Sequence, residues 1–332
     1  MPARKIEVRP ASLVDIPLIL RLIDDGIVLD SRLGYTADVE APQSHLFSSI
    51  FLPQRGLHTW VARSDDQQAV AQFRLRQDEP NAQLMYVAPP PHRYLNDTVW
   101  LHLLDAMTAE AGRRGAHILT GEVHEESRLF ETMRTANFAV YARQAIWRRV
   151  PVEDGANGIV TLHQPPVELT AETDADAMGI QSLYVDTVPS LVQPVSQPPL
   201  DCTGLVYRKN DRIEGYLAIS EGKHGVFITP YLHPDIYSDA PDVLATALAR
   251  VHATGRSAKV PVYVRVSRYQ NWLEPMLDEL DFELWAQQAV MVRHIAAGIR
   301  MNAFAPLERK LDAISRPVRP PASRVREAVL ER

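Results

Sequence analysis

Residues 138–149 read FAVYARQAIWRR, and residues 282–293 read FELWAQQAVMVR. Aligned without a gap at an offset of 144 residues, they place Tyr141 on Trp285, Ala142 on Ala286, Gln144 on Gln288 and Ala145 on Ala289. An aromatic and the same small residues recurring in one register mark an internal repeat. The flanks agree. In each half a helical pattern closing in a basic, Gly-containing turn (AGRRG, HATGR) leads into a β-rich run (AHILTGEV, AKVPVYVRV) and then a second helix (ESRLFETMRTANF, QNWLEPMLDELDF). Both second helices end on Asn or Asp just before a Phe, residue types that tolerate the left-handed position at a helix end. At the front of each half, IEVRPASLVDI and VELTAETDADA align Asp15 with Asp176 at an offset of 161, so the first half carries 17 extra residues between its first helix and second strand.

The pattern per half is strand, helix, two or three antiparallel strands, helix, strand, helix and a closing pair of strands. Two runs, TWVARSDDQQAVAQFRLR and GLVYRKNDRIEGYLAIS, each alternate, break at a polar turn and alternate again, which is the signature of a hairpin. This divides the chain into an N-terminal domain over 1–150, a linker over 151–164 rich in Asp, Gly, Asn and Pro, and a C-terminal domain over 165–295. Residues 296–332 form a Pro/Arg-rich tail, expected to be extended around one short helix. The two domains are expected to pack as a pseudo-dimer through their similar C-terminal strands.

A chain of 332 residues with 46% hydrophobic content can bury a full core in each of two domains. Its net charge of -6 and pI near 6.0 give no reason to expect a nucleic-acid partner. The single cysteine, Cys202, excludes an intrachain disulfide and a cysteine-rich zinc site. The opening MPARKIEVRPAS runs straight into an alternating strand, and no apolar stretch of about 18 residues follows, so a cytoplasmic chain without a membrane partner is expected.

The order of elements, a strand leading into a long helix and a last helix ending just before a Phe, together with LHPDIYSDAPDVLATAL in the second half, resembles the GNAT superfamily of acyl-CoA-dependent N-acetyltransferases. The resemblance implies an α+β fold of two tandem GNAT-like domains, each a mixed, mostly antiparallel sheet flanked by helices. It also implies acetyl-CoA as cofactor, with its diphosphate held by backbone N–H groups of a Gly-containing loop at a helix N-terminus. Here that loop reads His92-Arg93-Tyr94-Leu95-Asn96-Asp97 in the first half and Tyr237-Ser238-Asp239-Ala240-Pro241-Asp242 in the second, with no glycine in either.

Carried over residue by residue, the cofactor-binding positions are the strand end at Tyr86 and Val87, which would receive the pantetheine arm, and His92, Arg93, Asn96, Asp97 and Thr98 at the loop and helix start. Asp97 and Asp242 are expected to be matching N-caps, each taking a helix donor that a phosphate would need. A carboxylate about 5 Å from a phosphate charge costs roughly 3 kcal/mol at an effective dielectric near 20. The tyrosine that returns a proton to the thiolate in that superfamily is replaced by Met133 and Leu277. Candidates for the base lie in GEVHEES: Glu122 and His124 first, then Glu125 and Glu126. Their contiguous spacing does not aim three ligands at one point, so no metal is expected.

Two functions follow from these residues. One is an acyl-CoA-dependent N-acetyltransferase acting on a small-molecule or peptide amine from the N-terminal half, with a structural C-terminal half. The other is a catalytically silent GNAT-fold binding or interaction protein that has lost the diphosphate cradle in both halves.

Overall fold

The computed structural model describes residues 6–36, 56–76, 79–91, 96–151, 166–199, 202–253 and 259–295. All of these lie in one compact unit, Met1–Ala296. His92, Arg93, nearly all of the expected linker and the whole of the expected tail lie outside the described residues.

The first half contains β1 (Glu7–Pro10), α1 (Ile16–Ile23), β2 (Ile27–Val28), α2 (Ser31–Thr36), β3 (Leu57–Arg63), β4 (Gln68–Arg74), β5 (Asn81–Ala88), α3 (Thr98–Arg113), β6 (Ile118–His124), α4 (Arg128–Thr135) and β7 (Ala139–Arg149). The second repeats it without a counterpart of β2 and α2: β8 (Leu169–Ala171), α5 (Ala177–Thr187), β9 (Thr203–Lys209), β10 (Arg212–Glu221), β11 (Val226–Leu232), α6 (Ala240–Ala253), β12 (Val262–Ser267), α7 (Glu274–Glu279) and β13 (Glu283–His294). Where a closing pair of strands was expected, each half ends in one long strand.

The strands join in a single 13-stranded sheet of order β1-β3-β4-β5-β6-β13-β7-β12-β11-β10-β9-β8, with β2 lying beside β5. Neighbours are antiparallel except β5 with β6 and β11 with β12, which are parallel. The halves exchange their last strands. β6 of the first half takes β13 of the second, β12 takes β7, and β7 and β13 run antiparallel between them.

The repeat is also a symmetry of the register. Gln144 pairs with Gln288, its own repeat-mate, so a local two-fold passes through that pair. On one side lie Ala145 with Gln287, Ile146 with Ala286 and Trp147 with Leu284; on the other, the equivalent Arg143 with Ala289, Ala142 with Val290 and Val140 with Met291. Both strands bulge at the matched aromatics, Tyr141 and Trp285, which the pairing skips. The aromatic recurrence in the sequence therefore marks a bulge on each strand.

Helices cover both faces of the sheet. Trp100, Leu103 and Leu104 on α3, expected as core from their helical spacing, are buried against Phe73, Leu84 and Leu119. On the opposite face α1 packs Leu18, Ile19 and Leu22 on Val61, Val70 and Tyr86. The second half mirrors both layers, with α6 over Leu217 and Ile228 and α5 over Val206 and Tyr231. The start of each half is tied by the same box. Ser12 N and Oγ donate to Asp15 Oδ2 at 2.9 and 3.0 Å, and Thr173 N and Oγ1 donate to Asp176 Oδ2, both at 2.9 Å. No described helix is long and apolar enough to cross a membrane.

The halves lock a second time away from the exchanged strands. The end of α2 reaches over the turn between β10 and β11, where Tyr35 stacks on Tyr263 with ring centroids 4.6 Å apart and lies parallel to Phe227 at 6.0 Å. His224 N donates to Thr36 O at 3.2 Å.

Candidate functional site

Parallel strands that diverge leave unpaired backbone groups along their inner edges, and those groups need partners. Both halves contain such a gap. β5 and β6 pair only over Asn81–Gln83 with Ile118–Thr120, and β11 and β12 only over Val226–Ile228 with Val262–Val264, before each pair separates.

In the first half, the gap is filled by the chain that follows α1. Ile27 pairs with Val87 and Val28 with Tyr86, then Leu29 bridges the two strands: its N–H donates to Met85 O at 2.9 Å and its carbonyl accepts from Glu122 N at 2.9 Å. Gly26 lies so close over Tyr86 that a Cβ there would come within 1.6 Å of the phenolic oxygen. Tyr86 and Val87, the residues placed at a pantetheine arm by the resemblance, thus face a strand of their own protein.

In the second half, a buried side chain fills the equivalent gap. With its amide oriented to satisfy both groups, Gln270 donates to Pro230 O and accepts from Leu232 N, each at 3.2 Å. Pro230 stands 145 residues after Met85, the same offset as between the strand starts paired at Asn81 and Val226, so the same carbonyl is engaged in both halves.

The loops before α3 and α6 differ from expectation. Asp97 precedes α3, yet its carboxylate caps nothing. It accepts from Thr132 Oγ1 at 2.7 Å and from Arg128 Nε and Nη2 at 3.2 and 3.1 Å, because α4 brings both donors alongside. Asn96 Oδ1 instead accepts from Thr98 N at 3.3 Å. In the second half α6 begins at Ala240, so Asp242 lies in the first turn and is not the residue before the helix. Asp239 holds that place, bonded by Tyr207 and Lys209 at 2.9 and 2.8 Å, and Pro241 sits where a missing N–H costs little. Met133 and Leu277 are buried core residues.

Of the base candidates, Glu122 is drawn inward and the others are not. Glu122 accepts from Ser31 N at 2.8 Å and faces Arg265 Nη1 at 3.5 Å across the junction of the halves. His124 is exposed, Glu126 is exposed, and Glu125 pairs with Arg143 at 2.6 Å. Nearby, Gln288 Oε1 on the two-fold accepts from Gln144 Nε2 at 3.0 Å and from Ser31 Oγ at 2.7 Å.

Glu122 opens into a cavity of about 240 Å³ that both halves line, with Asp30, Arg74 and Arg76 from the first and Thr229 and Arg265 from the second. Asp30, Arg32, Arg74 and Arg76 also border a wider groove of about 890 Å³. Sequence reasoning passed over Arg265, although a lone cation inside the apolar strand VYVRV was the available signal. Among the described residues no three metal-ligating side chains converge.

No family model and no curated protein matches the chain. Solved structures do. A GCN5-related N-acetyltransferase from Sphaerobacter thermophilus superposes with a TM-score of 0.56 at 13% identity, covering 89% of this chain and 97% of its own. A tandem GNAT protein from the clavulanic acid biosynthesis pathway superposes with a TM-score of 0.51 at 15% identity, covering 88% of this chain and 99% of its own. At such identities the likeness concerns the fold. The chain has an α+β GNAT fold in tandem.

Proposed function

We propose that this GNAT-fold chain works as a binding protein through the cleft between its halves, with both acyl-CoA slots closed by its own residues. The fold is that of N-acetyltransferases, and a fold alone leaves the chemistry to the site. One observation carries the reading: Met85 O, next to the Tyr86 and Val87 where the resemblance puts a pantetheine arm, and its repeat counterpart Pro230 O are already hydrogen-bonded by Leu29 and Gln270. Acyl-CoA would have to displace β2 and the buried Leu29 from one slot or the buried Gln270 amide from the other, leaving backbone groups to be satisfied anew. Buried Met133 and Leu277 supply no proton for a departing thiolate.

The rival reading, acyl transfer from the first half to an amine, is favoured by the position of Glu122. It stands beside the gap and lines the cavity, where a base would be needed. Calorimetric titration separates the two. Acetyl-CoA up to about 1 mM is expected to give no saturable heat and no change in amide exchange over 26–29. Saturable binding accompanied by faster exchange at 27–29, showing β2 displaced, would overturn the proposal in favour of transfer.

A further inference from the structure

The geometry points to the junction cavity as a site for a small α-amino or α-hydroxy carboxylate, its carboxylate on Arg265 and its ammonium or hydroxyl group on Glu122. The inference rests on the reading of the chain as a binding protein and names what it would bind.

Glu122 and Arg265 occupy repeat-equivalent positions. Glu122 lies opposite Val290 and Arg265 opposite Ile146, and Ile146 and Val290 are repeat-mates. Two copies of one position have thus diverged to opposite charge and meet across the pseudo-two-fold. A well-made pair at such a place would hold the halves together.

This pair is slack. The Arg265 side chain is only 13% exposed, yet its bonds are long, 3.5 Å to Glu122 Oε1 and 3.4 Å to the Tyr231 hydroxyl, and its buried Nε has no partner among the described residues. Elsewhere in the molecule ion pairs close fully: Arg9 and Arg63, each about one-third exposed, reach the buried Asp15 at 2.6 Å. A largely desolvated guanidinium with weak contacts is short of the charge-assisted bonds that offset its desolvation.

The missing partner has a definable chemistry. The planar fork of an arginine matches a carboxylate with two parallel N–H···O bonds. Glu122 accepts from Ser31 N through Oε2, leaving Oε1 directed toward Arg265. A ligand carboxylate on Arg265 therefore places its α-substituent beside Glu122, which as an ionised acceptor selects a donor. The cavity is of amino-acid size rather than nucleotide size, and the wider groove it shares with Arg32, Arg74 and Arg76 leaves room for a polar side chain.

The test is calorimetry on the full chain with the twenty L-amino acids, L-lactate and L-malate as probes, with propionate, succinate and inorganic phosphate as controls. At least one amino or hydroxy acid is expected to bind with a Kd below about 1 mM, with its counterpart lacking the α-donor at least about tenfold weaker. Arg265→Lys, which keeps the charge and loses the fork, should weaken every carboxylate by about tenfold or more. Glu122→Gln should erase the preference for an α-donor while leaving the plain carboxylates unchanged. If Arg265→Lys does not fold, Glu122→Gln decides alone.

No saturation by about 10 mM for any probe, equal binding of phosphate, or indifference to both substitutions would overturn the inference. Failure of the reading beneath it looks different. Acetyl-CoA would then bind and speed exchange at 27–29, whatever the carboxylates do.

Discussion

Asp15→Ala is expected to lower the unfolding free energy by about 3 kcal/mol, the low end for breaking one side of a buried charge pair. The carboxylate is fully buried and accepts from Arg9 Nη1 and Nη2 at 2.6 and 2.9 Å, Arg63 Nη2 at 2.6 Å, and the Ser12 N–H and hydroxyl. Truncation leaves the Ser12 N–H without its acceptor and two guanidinium groups without a counter-charge. Both arginines are about one-third exposed and can rehydrate, which keeps the loss near the low end.

The same site sets a pH dependence. Burial alone would push the Asp15 carboxyl up, but the bonds from Arg9 and Ser12 outweigh it and hold the group at about 2. A carboxyl depressed in the folded state gives stability that is fully present above its unfolded value of about 4 and is lost as pH falls through the folded value. Urea midpoints measured at pH 7 and pH 3 should therefore differ less in Asp15→Ala than in the parent chain. An equal pH dependence would show that Asp15 does not carry the effect.

The second large effect belongs to the lock between the halves. A Cβ on Gly222 would come within 2.0 Å of Thr36 O, and one on Gly225 within 2.4 Å of Tyr35 O. Both obstacles are backbone, so no side chain can turn aside. The turn between β10 and β11 must then lift off α2, losing the stack of Tyr35 on Tyr263 and the bond from His224 N to Thr36 O. Overpacking costs roughly 1–3 kcal/mol per site, so Gly222→Ala with Gly225→Ala should lower stability by about 2–6 kcal/mol. It should also weaken any carboxylate held at the junction, although Arg265 and Glu122 are untouched. A doubly substituted chain with the parent's urea midpoint would mean that this turn is not docked on α2.

The legible features of the chain are those written in local pattern. The offset between FAVYARQAIWRR and FELWAQQAVMVR, the hairpin alternation and the helical spacing of Trp100, Leu103 and Leu104 specify two copies of one α+β layer. They do so because burial acts on periods of two and 3.6 residues. The alignment of Asp15 with Asp176 likewise carries a capping box whose partners lie three residues away. Asp97 stands just before α3 as expected, but its carboxylate is taken by Arg128 and Thr132, which arrive on a helix some thirty residues later where local capping rules cannot see them.

What the sequence by itself determined is therefore the duplication, the fold of each copy and the absence of glycines just before α3 and α6. Only the tertiary structure decided that the copies exchange their last strands, that Leu29 and Gln270 occupy the two gaps, and that Glu122 meets Arg265. Strand alternation sets which face a side chain takes but not which strand lies alongside, because the backbone bonds that choose the neighbour are common to every residue.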